Sequence, residues 1–171
     1  MPEMALEESM LSIKLAPSNS DAYNLAGVAL HMLGRDDESA AMVEKAILIN
    51  SKRGEYYLNR GLLKLAAGDS EAALANFNLA TGLDPELFDA YLQVGIIYGA
   101  RKEFKLAVEN LKTATSLKPD NADAHYLLAI AYDGAGMGDL AKQELETTVR
   151  LDPTNSDARL RLQKQAYPPG Q

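Results

Sequence analysis

Residues Phe88 to Asn121 read FDAYLQVGIIYGARKEFKLAVENLKTATSLKPDN, and this stretch decides the fold. Tyr91, Val94, Gly95 and Tyr98 belong to a first helical segment, and Ala107, Leu111 and Ala114 to a second. Pro119 closes the stretch, because the residue before a proline is steered out of the helical region. A glycine such as Gly95 is needed where two helices of a hairpin come closest, since any larger side chain pushes their backbones apart. The stretch therefore predicts a helical hairpin.

The same columns recur every 34 residues. Prolines or a stand-in fall at Pro17, Ser51, Pro85, Pro119 and Pro153. The close-approach column runs Gly27, Gly61, Gly95 and Ala129, and an aromatic column runs Tyr23, Tyr57, Tyr91 and His125. A turn column runs Gly34, Gly68, Lys102 and Gly136. All four columns agree on the phase. In spacing and residue type the repeat resembles the tetratricopeptide repeat. That resemblance implies an all-α fold, an α-solenoid of antiparallel helix hairpins wound as a right-handed superhelix, with ten helices and no strand. It divides the chain into an N-terminal half repeat at residues 1–19, four units at 20–53, 54–87, 88–121 and 122–155, a capping helix at 156–166 and a flexible tail at 167–171.

The two ends are read in the same columns. Glu3 to Ala16 matches the second helix of a unit, with Ala5, Ser9 and Ser12 standing where the second unit has Ala73, Phe77 and Ala80. It is either the stump of a longer array or a lone helix, and Leu6, Met10, Ile13 and Leu15 are expected to dock it on the first unit. From Ser156 the aromatic column becomes Arg159 and the close-approach column becomes Gln163, so that segment is expected to present a polar outer face as a terminal helix. Ser20 or Asp21, with Asp89, Asp123 and Asp157, sit at or just inside helix starts, where they cap free amides or favour the positive end of the dipole. Gly134, Gly136 and Gly138 surround one turn and make the fourth unit the softest.

Composition narrows the function classes. The net charge of −7 is the wrong sign for a surface that neutralises phosphates, which disfavours nucleic acid. By unit it runs −1, −3, +1 and −4, with −2 in residues 1–19 and +2 in residues 156–171. The absence of cysteine removes disulfides and thiolate metal sites, and fits cytoplasm or periplasm, the cytoplasm being favoured. No apolar run is long enough to span a bilayer, so a soluble chain without direct membrane insertion is expected. His31 and His125 fall in different columns with no further metal ligands beside them, and the carboxylates recur with the repeat rather than forming an acid/base pair. The expectation is no enzyme and no cofactor.

By the family resemblance, first helices line the concave face and partner segments lie along it. Carried onto this chain, the groove comprises Asn24, Leu25, Val28, His31 and Met32, then Leu58, Asn59, Leu62 and Leu65. It continues through Leu92, Gln93 and Ile96 to Tyr126, Leu127 and Ile130. An acidic rim recurs at Asp21, Glu55, Asp89 and Asp123. The carboxylate clamp of co-chaperones is absent, since of its places Asn24, Val28, Asn59, Asp89 and Gln93 only Asn59 matches. Arg60 and Lys64 form a basic stripe that either snorkels across the hairpin or contacts an anion. The leading reading is a protein-interaction scaffold or adaptor for a protein or peptide segment, basic and amphipathic, in the groove. The alternatives are a self-associating array using the N-terminal half repeat, and a repeat module of a larger multidomain or secretion assembly protein.

Overall fold

The structure is a computed structural model that describes residues 1–166, so the tail expected at 167–171 lies outside the described residues. Among the described residues there are ten α-helices and no strand. They are α1 (Pro2–Leu15), α2 (Ser20–Met32), α3 (Asp36–Ile49), α4 (Gly54–Ala66), α5 (Ser70–Leu83), α6 (Phe88–Ala100), α7 (Phe104–Leu117), α8 (Ala122–Gly134), α9 (Gly138–Leu151) and α10 (Ser156–Ala166). The starts of the even-numbered helices are spaced by the 34 residues of the sequence period. Two compact units divide the chain, Met1–Ala90 and Tyr91 onward.

In the first unit α1 packs on α2, α2 on α3 and α4 on α5. The hairpins close through the glycine column. A Cβ built on Gly27 would lie 2.7 Å from Val43 Cγ2, and one on Gly61 would lie 2.5 Å from Phe77 Cε1. Val43 and Phe77 are fully buried there, with Ala26, Ala46, Ala73 and Ala80 around them. The hydroxyl of Ser39 donates to the Gly27 carbonyl at 2.6 Å, a contact that the missing Cβ leaves open. In the second unit Gly95 meets Leu111 in the same way, with a built Cβ 2.5 Å from Leu111 Cγ. Ala107, Val108, Leu111, Leu128, Ala131, Tyr132 and Ala141 form one core cluster there, and Ala129, Leu145 and Ala158 another.

Helix α1 sits differently from the expectation. Its buried residue is Ser9, with Leu6 and Ile13 half-covered, whereas Met10 is 46% and Leu15 77% exposed. The small side chains let the helix turn that face toward α2, which swings Met10 and Leu15 away. The caps also differ. Asn19, Asn121 and Asn155, each just outside its helix, accept from Ala22, Ala124 and Ala158 amides at 3.2, 2.8 and 2.9 Å. Asp21, Asp123 and Asp157 lie inside the first turn and act on the dipole instead.

The turn column ends every first helix in a left-handed residue. Gly34, Gly68 and Gly136 have φ of 72, 80 and 75°, and Lys102 has φ of 60°. The amide after each reaches back to the carbonyl five residues earlier, as in Glu103 to Tyr98 at 2.9 Å, which satisfies a helix-end carbonyl. Among the described residues only Lys102 adopts this conformation with a side chain. Lys102→Gly should therefore raise stability by about 0.5–1 kcal/mol, the relief of the Cβ clash less the added freedom of the unfolded chain. Gly68→Lys should lower it by about 1 kcal/mol. Urea midpoints at constant m-value check both, and a Lys102→Gly chain no more stable than the parent would contradict the strain at that turn.

Candidate partner-binding surface

The expected groove residues lie on the first helices of the hairpins, and the structure treats them unequally. In the first unit Asn24 is buried and Asn59 Nδ2 donates to its Oδ1 at 2.8 Å, which ties α2 to α4. This pair is a strut, and Asn24, 8% exposed, is buried rather than lining, a correction to the expected groove. Leu58 is only 8% exposed and is core rather than lining, a correction to the expected groove. Repetition alone could not distinguish it from its neighbours. Val28, His31, Leu62 and Leu65 are half-buried, with one side of each open, while Leu25 and Met32 are exposed. His31 Nδ1 lies 2.6 Å from the Asp36 carboxylate, which holds the ring across the α2–α3 turn.

Two of the three rim acids of this unit are engaged. Asp21 accepts from the Tyr56 hydroxyl, and its carboxylate lies 3.4 Å from Arg53. Glu55 lies 3.4 Å from the same guanidinium. Two of the four expected rim acids thus share one cation. Arg53 was not among the expected site residues, although its place between two acids of successive first helices was visible in the sequence. Burial first, and then the bond to Asp21, pushes the Tyr56 phenol above its ordinary value. Asp89, in the first turn of α6, is exposed.

Arg60 resolves the basic stripe in favour of internal packing. Its Nε donates to Asn76 Oδ1, its Nη1 lies 3.3 Å from Glu44, and its guanidinium stands 5.0 Å from the Tyr57 ring centroid. Lys64 is exposed.

In the second unit Leu92 and Leu127 pack against the Leu111–Leu128 cluster, and Tyr126 against Leu145 and Ala158. Gln93 and Ile130 are half-buried, Ile96 is 36% exposed, and Asp123 is exposed. Between α6, α7 and α8 opens a cavity of about 270 Å³ lined by Ile96, Gly99, Phe104, Leu111, Leu127 and Ile130, among others. Its wall is almost wholly apolar. It exists because Gly99 stands where the first two units carry His31 and Leu65, and a Cβ built there would meet nothing within 4 Å. That change of column was the signal available in the sequence. Gly134, by contrast, is held small by the Phe104 ring, 2.4 Å from where its Cβ would stand.

His125 takes the place of a tyrosine in function as well as in column. Tyr57 donates its hydroxyl to the Ser51 carbonyl at 3.2 Å, and His125 Nε2 lies 3.0 Å from the equivalent Pro119 carbonyl. Its Nδ1 lies 2.6 Å from Glu144 on α9. Among the described residues no group of three or more His, Asp or Glu side chains is placed to hold a metal ion. No helix among them is long and apolar enough to cross a membrane.

Comparison with known proteins agrees with the helical-repeat fold. A family pattern described as Tetratricopeptide repeat matches residues 20–53 and 54–87, and a second of the same description matches residues 100–166. MamA from Desulfovibrio magneticus RS-1 is similar in structure at 24% identity, over 84% of this chain and 81% of that one, with a TM-score of 0.75. YrrB, described as a TPR protein with an unusual peptide-binding site, is similar at 22% identity over 96% and 84%, TM-score 0.71. TTC0263, a thermophilic TPR protein of Thermus thermophilus, is similar at 20% identity over 96% and 90%, TM-score 0.70. At these identities the likeness is one of fold. No curated protein sequence matches the chain.

The Tyr56 contact yields a prediction. Tyr56→Phe removes a bond to a carboxylate that solvent can still reach, and should cost about 1 kcal/mol at neutral pH. A raised folded-state value means that this contribution is fully present below the ordinary tyrosine range and is lost as pH rises through the folded value. Parent and variant should therefore converge in denaturant midpoint at strongly alkaline pH. A gap that persists unchanged there would contradict the assignment of the bond.

Proposed function

Since this chain belongs to the tetratricopeptide repeat family, we propose that it is a protein-interaction scaffold whose first-helix surfaces receive a segment of a partner protein. The observation that carries this reading is the apolar cavity beside Gly99 in the second unit, with the half-open Ile96 and Ile130 side chains on its wall. A segment with apolar side chains along one side would bury them there, at about 25 cal/mol for each Å² of apolar surface removed from water. YrrB, a structural neighbour described by its peptide-binding site, supports a peptide as the class of ligand.

The charge of the partner follows from the rim. Asp89 and Asp123 are exposed, whereas Asp21 and Glu55 already face Arg53. A basic flank on the partner would therefore be read by the exposed acid of either unit, Asp89 in the first or Asp123 in the second, contributing rate and salt dependence more than affinity. The net charge of −7 favours the same partner and disfavours nucleic acid. No catalytic role is assigned to any residue.

The test is capture of the partner from source cells, followed by titration at low and high salt. A Cβ at position 99 meets nothing within 4 Å, so Gly99→Leu should occupy the cavity, raise helix stability by up to about 1 kcal/mol and weaken the partner at least about tenfold. Asp89→Asn with Asp123→Asn should flatten the salt dependence. Full binding by Gly99→Leu would remove the groove from the proposal, and an unchanged salt slope would leave the acids as helix-dipole partners only.

A further inference from the structure

Helices α1 and α10 carry complementary halves of one repeat hairpin, and we propose that α10 of one copy of this chain packs against α1 of a second copy. The inference goes beyond partner binding on the first-helix surface and does not depend on it. In the sequence period α10 occupies the place of a first helix and α1 that of a second, so α10 followed by α1 repeats the relation of α8 to α9. Each contact in the existing hairpins therefore names a contact in the composite one.

Two such contacts fall on matched residues, and a third, the close approach, is altered. His125 on α8 lies 2.6 Å from Glu144 on α9, and the corresponding pair is Arg159 with Glu8, opposite charges in the same relation. The close-approach contact, small residue on the first helix and large on the second, is Gly61 with Phe77 and Gly95 with Leu111. Its counterpart is Gln163 with Ser9, where the sizes are exchanged and both groups are polar. The strut between successive first helices, Asn59 to Asn24 at 2.8 Å, becomes Leu25 with Leu160, two side chains that are 56% and 49% exposed.

These residues are grouped as an interface requires. Arg159, Leu160 and Gln163 line one concavity of about 340 Å³ on α10. Glu8, Ser9 and Leu25 line another of about 310 Å³ between α1 and α2. The charge follows suit, with −2 in residues 1–19 and +2 in residues 156–171. The occupant selected by that pairing is a second copy, joined head to tail through two different surfaces.

Sedimentation velocity of the full chain across a concentration series, at low salt, tests the proposal. The parent chain should associate with rising concentration, and Glu8→Arg or Arg159→Glu should each weaken self-association at least about tenfold. The chain carrying both changes should return to within about threefold of the parent, which a merely structural role for either residue would not produce. Both side chains are exposed, so thermal melts of all four chains should coincide. A parent chain that stays monomeric throughout overturns the proposal, as does association insensitive to the single changes. Failure of the double variant to recover overturns it equally.

Discussion

Three hairpins of this chain depend on one close approach, the backbone of a first helix lying directly against a large side chain of the second, and the α8–α9 hairpin sets Ala129 beside Leu145 instead. At Gly61 the ring of Phe77 occupies the space where a Cβ would be, and Leu111 does the same at Gly95. Helix packing at this distance leaves no room for compromise, because interiors are as dense as organic crystals and a displaced helix disturbs each neighbour it touches. The small residues around the contact follow from it. Ala26, Ala46, Ala73, Ala80, Ala107 and Ala114 are all buried, so the backbones stay near each other along the length of the hairpin. Solenoid stability is the sum of such hairpins and the interfaces between neighbours, which makes the contact both the local and the cumulative determinant.

What repeats was legible in the sequence, and what interrupts the repeat was not. Tyr57 and His125 share a column, and the structure gives them the same carbonyl to bond, six residues back. Lys102 shares the turn column with three glycines and adopts their backbone conformation despite its side chain. Single-residue departures were harder to read. The asparagines that cap α2, α8 and α10 stand two residues before the aspartates that drew notice, because an acid in the first turn and a cap just outside it leave similar traces. Met10 and Leu15 carry the right hydrophobicity for docking, but the face of α1 that meets α2 is chosen by the small Ser9. For the candidate surface, column membership identified the helix face and missed two things that depend on distance. Leu58 is core, and Arg53 bridges two acids.

The same departures give the surface its character. Gly99 lacks a close-packing role and leaves a cavity where other units have a side chain, whereas Gly134 is required by the Phe104 ring. Arg60, read in the sequence as either snorkelling across the hairpin or contacting an anion, directs its donors to Asn76 on α5 and Glu44 on α3. Of the rim acids Asp89 and Asp123 stay exposed, and the apolar opening belongs to the second unit, which also carries Asp123. Within a scaffold of near-equivalent hairpins, the positions that break the column are the ones with something left to bind.

The close approach is a specific contact between two residues, and a double-mutant cycle at Gly61 and Phe77 tests it most directly. Gly61→Leu alone should destabilise by about 1–3 kcal/mol through overpacking, and Phe77→Ala alone by about 3–5 kcal/mol through a cavity. Combined, the leucine moves volume into the space the ring vacates, and the loss should fall short of the sum by at least about 1 kcal/mol. A strictly additive pair would mean that the helices do not meet at this point, and the packing logic built on the glycine column would fail with it.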